Sequence, residues 1–339
     1  MDSIQAFEKA FNKMTGSKSV HEAALLVENS KGDFSADFGY GGKTVDSPMF
    51  TASIGKMFTT TCILTLEKQN QLSLSDPLGK YLDKVVLDGL HIYKGVDYSE
   101  KLTISNLLFQ TSGLPDWLEN GRDKKVFIDA DVFLSFEEKI ASIKGDKRFF
   151  APGARSRYSD TNFSILGKII ETITQKSLAQ VCKDWIFSPL GLSQTYLPTT
   201  KEECIVNIFY KEKSLHRPNA MLAASGSGDG ITTARELMVF LKAFFNGRLF
   251  EKSTFDRLCK YGKLQLTMGG AWYGGGYMRV PLGVARTLFR GSGELLGHTG
   301  ATASYAFYYP EKDLYFVGDF NQAARPDLPF TMVINLATS

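Results

Sequence analysis

Met49-Phe50-Thr51-Ala52-Ser53-Ile54-Gly55-Lys56-Met57-Phe58 is the stretch on which the reading of this chain turns. From Ser53 to about Lys68 the apolar residues Met57, Phe58, Cys62, Ile63, Leu64 and Leu66 leave no polar face. A helix that is apolar all round is a buried one. Ser53 and Lys56 lie three residues apart, so on the first turn they share a face and the amine can meet the hydroxyl. A serine is a poor nucleophile until a base takes its proton. Burial lowers a lysine pKa. The positive end of the helix dipole acts the same way and favours developing negative charge. The competing reading is a surface Ser…Lys pair. Against it stand the apolar lead-in Met49–Ala52 and the apolar helix, which half-bury the site.

The chain around this helix has 339 residues, 43% hydrophobic and 22% charged, enough for about two domains or one large domain with an insert. Lys+Arg 39 against Asp+Glu 36 excludes the strongly basic profile of a dedicated nucleic-acid binder. Cys62, Cys182, Cys204 and Cys259 are far apart in sequence, which is no disulfide framework. Four histidines without H-x-x-x-H spacing argue against a zinc site, and no metal or organic cofactor is expected. The N-terminus lacks the pattern of a signal peptide, and no apolar run approaches the ~18 residues of a membrane span. The expectation is a cytoplasmic protein acting on a small molecule or peptide, without a nucleic-acid partner. Nothing in the sequence determines its oligomeric state.

Ile4, Phe7, Phe11 and Met14 mark an amphipathic first helix stopped by Gly16. Ala23–Val27 and Phe34–Tyr40 flank turn chemistry and read as a hairpin. From about Leu72 to Ala224 the texture is helical: a helix capped by Thr103, another from Asn162 to Thr174, a third from Val181 to Phe187. A further helix runs from Thr233 to Phe245. Beyond Lys263, Leu264–Leu266, Gly276–Val280, Ala303–Tyr309 and Leu314–Phe320 read as strands, and a last helix runs from about Pro329 to Leu336. Two β-rich ends must pair to bury their faces. The predicted fold is α/β (α+β): a mostly antiparallel sheet built from both termini and flanked by helices, with an inserted mainly helical domain. The expected boundaries are 1–71 and 225–339 for the sheet domain and 72–224 for the helical one.

Other candidate motifs are weaker. Gly41-Gly42-Lys43-Thr44 resembles the end of a phosphate loop but no helix follows, so it reads as a turn. Lys147, Arg148, Arg155 and Arg157 form a basic cluster, either a solvated face or a bias toward anionic substrates. Tyr158-Ser159-Asp160 precedes the Asn162 helix. Its tyrosine is either a capped core residue or a phenol whose pKa a lysine cation lowers, able to shuttle protons. Tyr81-Leu82-Asp83 repeats the pattern, so the triplet alone decides nothing. His298-Thr299-Gly300 leads into the Ala303–Tyr309 strand and is either structural or a sheet edge along which a substrate backbone lies.

In the order Ser-x-x-Lys, Tyr-x-Asp, His-x-Gly, these elements resemble the serine β-lactamase and penicillin-binding-protein superfamily. The likeness is to the branch of class C β-lactamases, D-alanyl-D-alanine carboxypeptidases, D-aminopeptidases and esterases. Leu107-Leu108-Phe109-Gln110-Thr111-Ser112-Gly113-Leu114-Pro115-Asp116, Phe150-Ala151-Pro152-Gly153 and Gly230-Ile231-Thr232-Thr233-Ala234 are similar to further segments of that branch.

The resemblance implies a serine hydrolase with its active site in the cleft between the two domains. It implies Ser53 as acyl-enzyme nucleophile and Lys56 as its base, alone or with Tyr158, which also protonates the leaving group. The N–H groups of Ser53 and Ala301 would form the oxyanion hole, and His298 and Thr299 would line the substrate strand. The implied substrate is an amide or ester, a D-amino-acid peptide or a small ester, with weak action on β-lactams. Three residues depart from the pattern: Asp160 where Asn is commoner, Gln110 where His is usual, His298 where class C β-lactamases carry lysine. Asp160 removes an amide donor and can hold Lys56 charged. Arg286 is a candidate for the carboxylate contact that His298 gives up. The alternative is a non-catalytic binding or scaffold protein that keeps the fold.

Overall fold

The computed structural model describes residues 3–283, 287 and 291–338. Among these, eight strands form one sheet in which every neighbouring pair is antiparallel. Their spatial order is Ser35–Tyr40, Ala23–Asn29, Leu314–Asp319, Ser304–Tyr309, Glu294–Thr299, Met278–Pro281, Trp272–Tyr273, Gly262–Lys263. The two chain ends meet inside it, with Leu25 opposite Gly318 and Leu26 opposite Val317. Ala23–Val27 is buried without alternation because helices cover both faces. Adjacent residues of one strand show this. Phe316 faces Phe7 of the helix Ser3–Thr15, and Tyr315 faces Lys242 of the helix Ala234–Phe245. The last helix, Leu328–Ala337, lies beside the first.

The middle of the chain is helical as expected. Lys56–Lys68 packs against Asp160–Thr174 and Leu178–Cys182 and is buried nearly all round. One core of buried side chains runs continuously from the sheet into these helices, across residues 71 and 225. Local chemistry sets several helix starts. Thr103 and Asn106 make a reciprocal capping box, and the Thr233 hydroxyl accepts the Glu236 N–H at 3.2 Å.

Two local readings need correction. Leu264–Leu266 is no strand: pairing stops at Lys263, and Leu266–Met268 is a short 3-10 turn ended by Gly269 and Gly270, both at positive φ. The segment Val181–Phe187 divides, Leu178–Cys182 being α-helical and Lys183–Phe187 a wider π turn. Cys62 and Cys182, distant in sequence, bring their sulfurs to 3.7 Å, unbonded, where their helices touch. No helix among the described residues is long and apolar enough to cross a membrane.

Lys43, from the phosphate-loop lookalike, is buried and gives its ammonium to Asp319 at 2.6 Å and Glu22 at 3.0 Å. It ties the loop leading to Met49 to the sheet. Removing one partner of a buried pair leaves an uncompensated charge. We expect Lys43→Met to lose about 3–5 kcal/mol in urea unfolding, and Lys43→Met/Asp319→Leu to recover most of it.

Candidate active site

Ser53 sits in the 3-10 turn Ala52–Gly55, directly before the helix Lys56–Lys68. The short strand Met49–Phe50 delivers it, paired with Ile231–Thr232, and the Thr51 N–H donates to the Gly230 carbonyl at 2.8 Å. Ala52 then takes φ +44°, a left-handed turn rare for a residue with a side chain. Two glycines let other segments press on this turn. A Cβ on Gly300 would lie 2.6 Å from the Thr51 carbonyl oxygen, and one on Gly228 would lie 2.9 Å from the Ser53 nitrogen.

Lys56 is fully buried. Its amine donates to the Ser53 hydroxyl at 3.0 Å, to the Ser227 carbonyl at 2.5 Å and to Asp160 in a tighter contact. Burial pushes its pKa below the ordinary lysine range, against the pull of Asp160, Asp116 and Asp229. Two of its three acceptors cannot donate. A neutral Lys56 would therefore spend both hydrogens on Asp160 and Ser227 and turn its lone pair on the Ser53 hydroxyl.

Tyr158 stands beside this pair, its ring centre 5.0 Å from the Lys56 amine. Its buried hydroxyl makes no hydrogen bond of normal geometry among the described residues. Burial, reinforced by the charge of Asp160, pushes its pKa well above the ordinary phenol value, although the Ser53 hydroxyl acts in the other direction. This corrects the expected lowering by a lysine cation: desolvation wins and the phenol rests neutral.

Tyr158 and Asp160 are held by the preceding loop. The Gln110 side-chain oxygen accepts the Ser159 N–H at 2.9 Å and the Asn162 amide at 2.5 Å. Ser159 and Thr161 donate their hydroxyls to the Pro115 carbonyl at 3.1 and 2.8 Å. Asp116 accepts the Asp160 N–H at 3.0 Å, so the helix begins at Asp160 rather than Asn162. Burial and the charge of Asp160 push Asp116 up to about 8.

A cavity of ≈ 280 Å³ opens over Ser53, Asp160 and Ala301, walled by Phe50, Leu118 and Phe127. Ala301 is the exposed residue of its segment. His298, Thr299, Gly300 and Gln110 do not line this cavity, and neither do Lys56 and Tyr158. His298 is fully buried beneath Tyr158, with 6.0 Å between ring centres. Its Nδ1 donates to the Thr299 carbonyl at 2.7 Å, so Nε2 carries the lone pair facing the Tyr273 hydroxyl 3.4 Å away. Burial, then the charge of Lys56, pushes it down to about 3, so it is neutral. Arg286 lies outside the described residues. Two members of the basic cluster are engaged within the protein. Arg148 is buried and spends its guanidinium on carbonyls such as Leu90 and Gly89, and Arg157 pairs with Glu119. No metal-ligating group of three His, Cys, Asp or Glu side chains occurs among the described residues.

Sequence reasoning passed over Asp116, Tyr273 and the Gly226-Ser227-Gly228-Asp229-Gly230 segment. The last had a signal, three glycines at alternate positions. Gly226 packs on Gly167 while Gly228 packs on Ala52, so the segment threads between the two central helices.

A buried lysine on a serine hydroxyl and a neutral phenol beside them lie at one cavity. The chain belongs to the Beta-lactamase family, whose model matches residues 10–332. It is 26% identical over 212 residues to the D-alanyl-D-alanine-carboxypeptidase/endopeptidase AmpH of Escherichia coli K12, a match over 62% of this chain and 52% of the relative. The chain thus spans about half the length of that curated relative. A D-stereospecific amidohydrolase from Streptomyces superposes with TM-score 0.82 at 24% identity, covering 97% of each chain. D-amino acid amidase from Ochrobactrum anthropi, complexed with D-phenylalanine, superposes at 0.81 with 18% identity over 99% of each chain.

The Tyr158 hydroxyl makes no well-formed hydrogen bond among the described residues, so deleting it removes little from the fold. Tyr158→Phe is expected to melt at or above the wild-type temperature while kcat/KM falls about 10²–10⁴-fold. Calorimetry and steady-state kinetics on one preparation check both halves.

Proposed function

We propose that this protein is a serine hydrolase that forms an acyl-enzyme on Ser53 from an amide or ester, preferably a D-amino-acid derivative with an apolar side chain. The observation that carries this reading is the Lys56 amine, 3.0 Å from the Ser53 hydroxyl, its other two directions taken by groups that only accept. Lys56 in its neutral form takes the Ser53 proton as Oγ attacks the carbonyl carbon. The developing oxyanion has two donors within reach, the N–H groups of Ser53 and Ala301, neither of which has an acceptor among the described residues. Each such donor contributes about 3 kcal/mol to stabilising the transition state. Tyr158, neutral at rest, gives its proton to the leaving nitrogen or oxygen and regains one from Lys56. The carbon–leaving-group bond breaks, and the proton lost by Ser53 ends on the departing group. Water repeats the sequence in reverse and frees the acid.

The apolar walls suit a hydrophobic side chain. Asp160 borders the same cavity, and its second carboxylate oxygen has no hydrogen-bond partner among the described residues, which suits a free ammonium on the acyl group. The AmpH and amidase relatives support a D-amino-acid substrate. A neutral, buried His298 offers no cation for a drug carboxylate, which favours amides and esters over β-lactams.

Intact mass after exposure to a fluorophosphonate tests the nucleophile. One adduct is expected on the wild type and none on Ser53→Ala; no adduct on the wild type, or equal adducts on both, overturns the proposal. With D-phenylalanine p-nitroanilide, N-acetylation is expected to lower kcat/KM at least about tenfold, or ~1.4 kcal/mol, by removing the ammonium. Nitrocefin is expected to turn over more slowly than either ester or anilide substrates.

A further inference from the structure

A second lysine is buried behind the first. Lys139, on the helix Phe136–Lys144, is 3% exposed. Its ammonium donates to the Ala223 carbonyl at 2.8 Å and stands 5.3 Å from the Trp117 ring centre. The reaction above does not use it. A lysine taken out of water costs free energy unless something answers its charge.

What answers it is the turn that also holds Lys56. From Ala223 the chain folds back sharply. The Ala224 carbonyl accepts the N–H groups of Ser227 and Gly228, both at 2.9 Å, and the Ser227 hydroxyl at 3.0 Å. The Ser227 carbonyl accepts from Lys56. Two buried lysines thus grip opposite ends of one tight turn, and Gly228 jams that turn against the Ala52–Ser53 backbone. Asp229 follows, buried, and its charge reaches both amines.

The charges around the two amines can be enumerated. Lys56 faces Asp160 from its neighbouring helix, Asp116 from the preceding loop and Asp229 from the turn, beside the neutral Tyr158 and His298. Lys139 faces Asp229 and Asp160, with Glu137 on its own helix and Glu171 on the next. Burial lowers Lys139 to about 8, which leaves it a cation at neutral pH. Burial raises Asp229 to about 6, with Lys139 and the N–H groups at Asp229 and Gly226 favouring its charged form. With Asp116 protonated, Lys139 is the cation that balances Asp229.

We propose that Lys139 is a positioning residue for Lys56: it clamps the turn whose Ser227 carbonyl orients the Lys56 amine, and its charge offsets Asp229, so that Asp160 is the one carboxylate that amine answers to. The inference rests on Lys56 serving as the base for Ser53. Its test is read on the free protein, so that the two can fail separately.

The probe is the ¹³Cε resonance of Lys56 in ¹³C-lysine-labelled protein, assigned with Lys56→Met and followed against pH. Lys139→Met keeps an apolar stem and removes the charge; the Lys56 midpoint is expected to rise by about one pH unit. Lys139→Arg is expected to leave it in place. Asp229→Asn is expected to lower it, and Lys139→Met/Asp229→Asn to return it to the wild-type value. The acid limb of kcat/KM should move with the midpoint. A folded Lys139→Met and a folded Asp229→Asn that both leave the midpoint unmoved overturn the proposal, as does a fall in rate with neither midpoint nor limb displaced. Should Lys139→Met fail to fold, Lys139→Gln takes its place in the same titration: a raised midpoint supports the proposal and an unmoved one overturns it. A wild type without turnover or adduct would sink the hydrolase reading, while the titration would still judge Lys139.

Discussion

An amine shut away from water has to find its hydrogen-bond partners in the protein, and Lys56 finds three. One is the Ser53 hydroxyl on the preceding turn, one is Asp160 on another helix, and one is the Ser227 carbonyl in a glycine-rich turn. Most of the surrounding architecture serves this meeting. Gly228 and Gly300 lack a Cβ where a Cβ would strike the backbone before Ser53. Gln110, Asp116 and the Pro115 carbonyl bind the chain from Ser159 to Asn162 and so place Asp160. Take away any one of the three segments and a buried nitrogen loses an acceptor, at a cost of about 1–3 kcal/mol.

The same exclusion of water sets the protonation states. Tyr158, His298 and Asp116 are all driven toward their neutral forms by burial, each for want of a compensating charge strong enough to oppose it. That leaves a resting site whose phenol is a proton donor and whose histidine is a spacer beneath it. In the proposed mechanism such a site moves a proton between Ser53, Lys56 and Tyr158.

Much of this was legible in the residues themselves. The Ser53–Lys56 contact needs only helical geometry over three residues, and the apolar run after it announces burial. Leu314–Asp319 and Ser304–Tyr309 are apolar enough to be recognised as strands, and Thr103 and Thr233 announce their helices. The failures have a common cause. Asp160 starts its helix early because its cap, Asp116, comes from 44 residues away. The strand expected at Leu264–Leu266 yields to two glycines in left-handed conformation. The basic cluster dissolves because Arg148 is drawn inward to carbonyls of another segment.

Local pattern by itself determined the longer helices, five of the eight strands of the sheet, and the order in which the serine, the tyrosine and the histidine segments follow one another. It did so because side-chain periodicity and capping depend on neighbours a few residues away. Only the tertiary structure decided that His298 and Gln110 are fully buried. It also decided that the Tyr158 phenol rests neutral, and that Lys139 and Asp229 share a turn with Lys56. Depth below the surface and the sum of nearby charges are properties of space, and separation along the chain does not encode them.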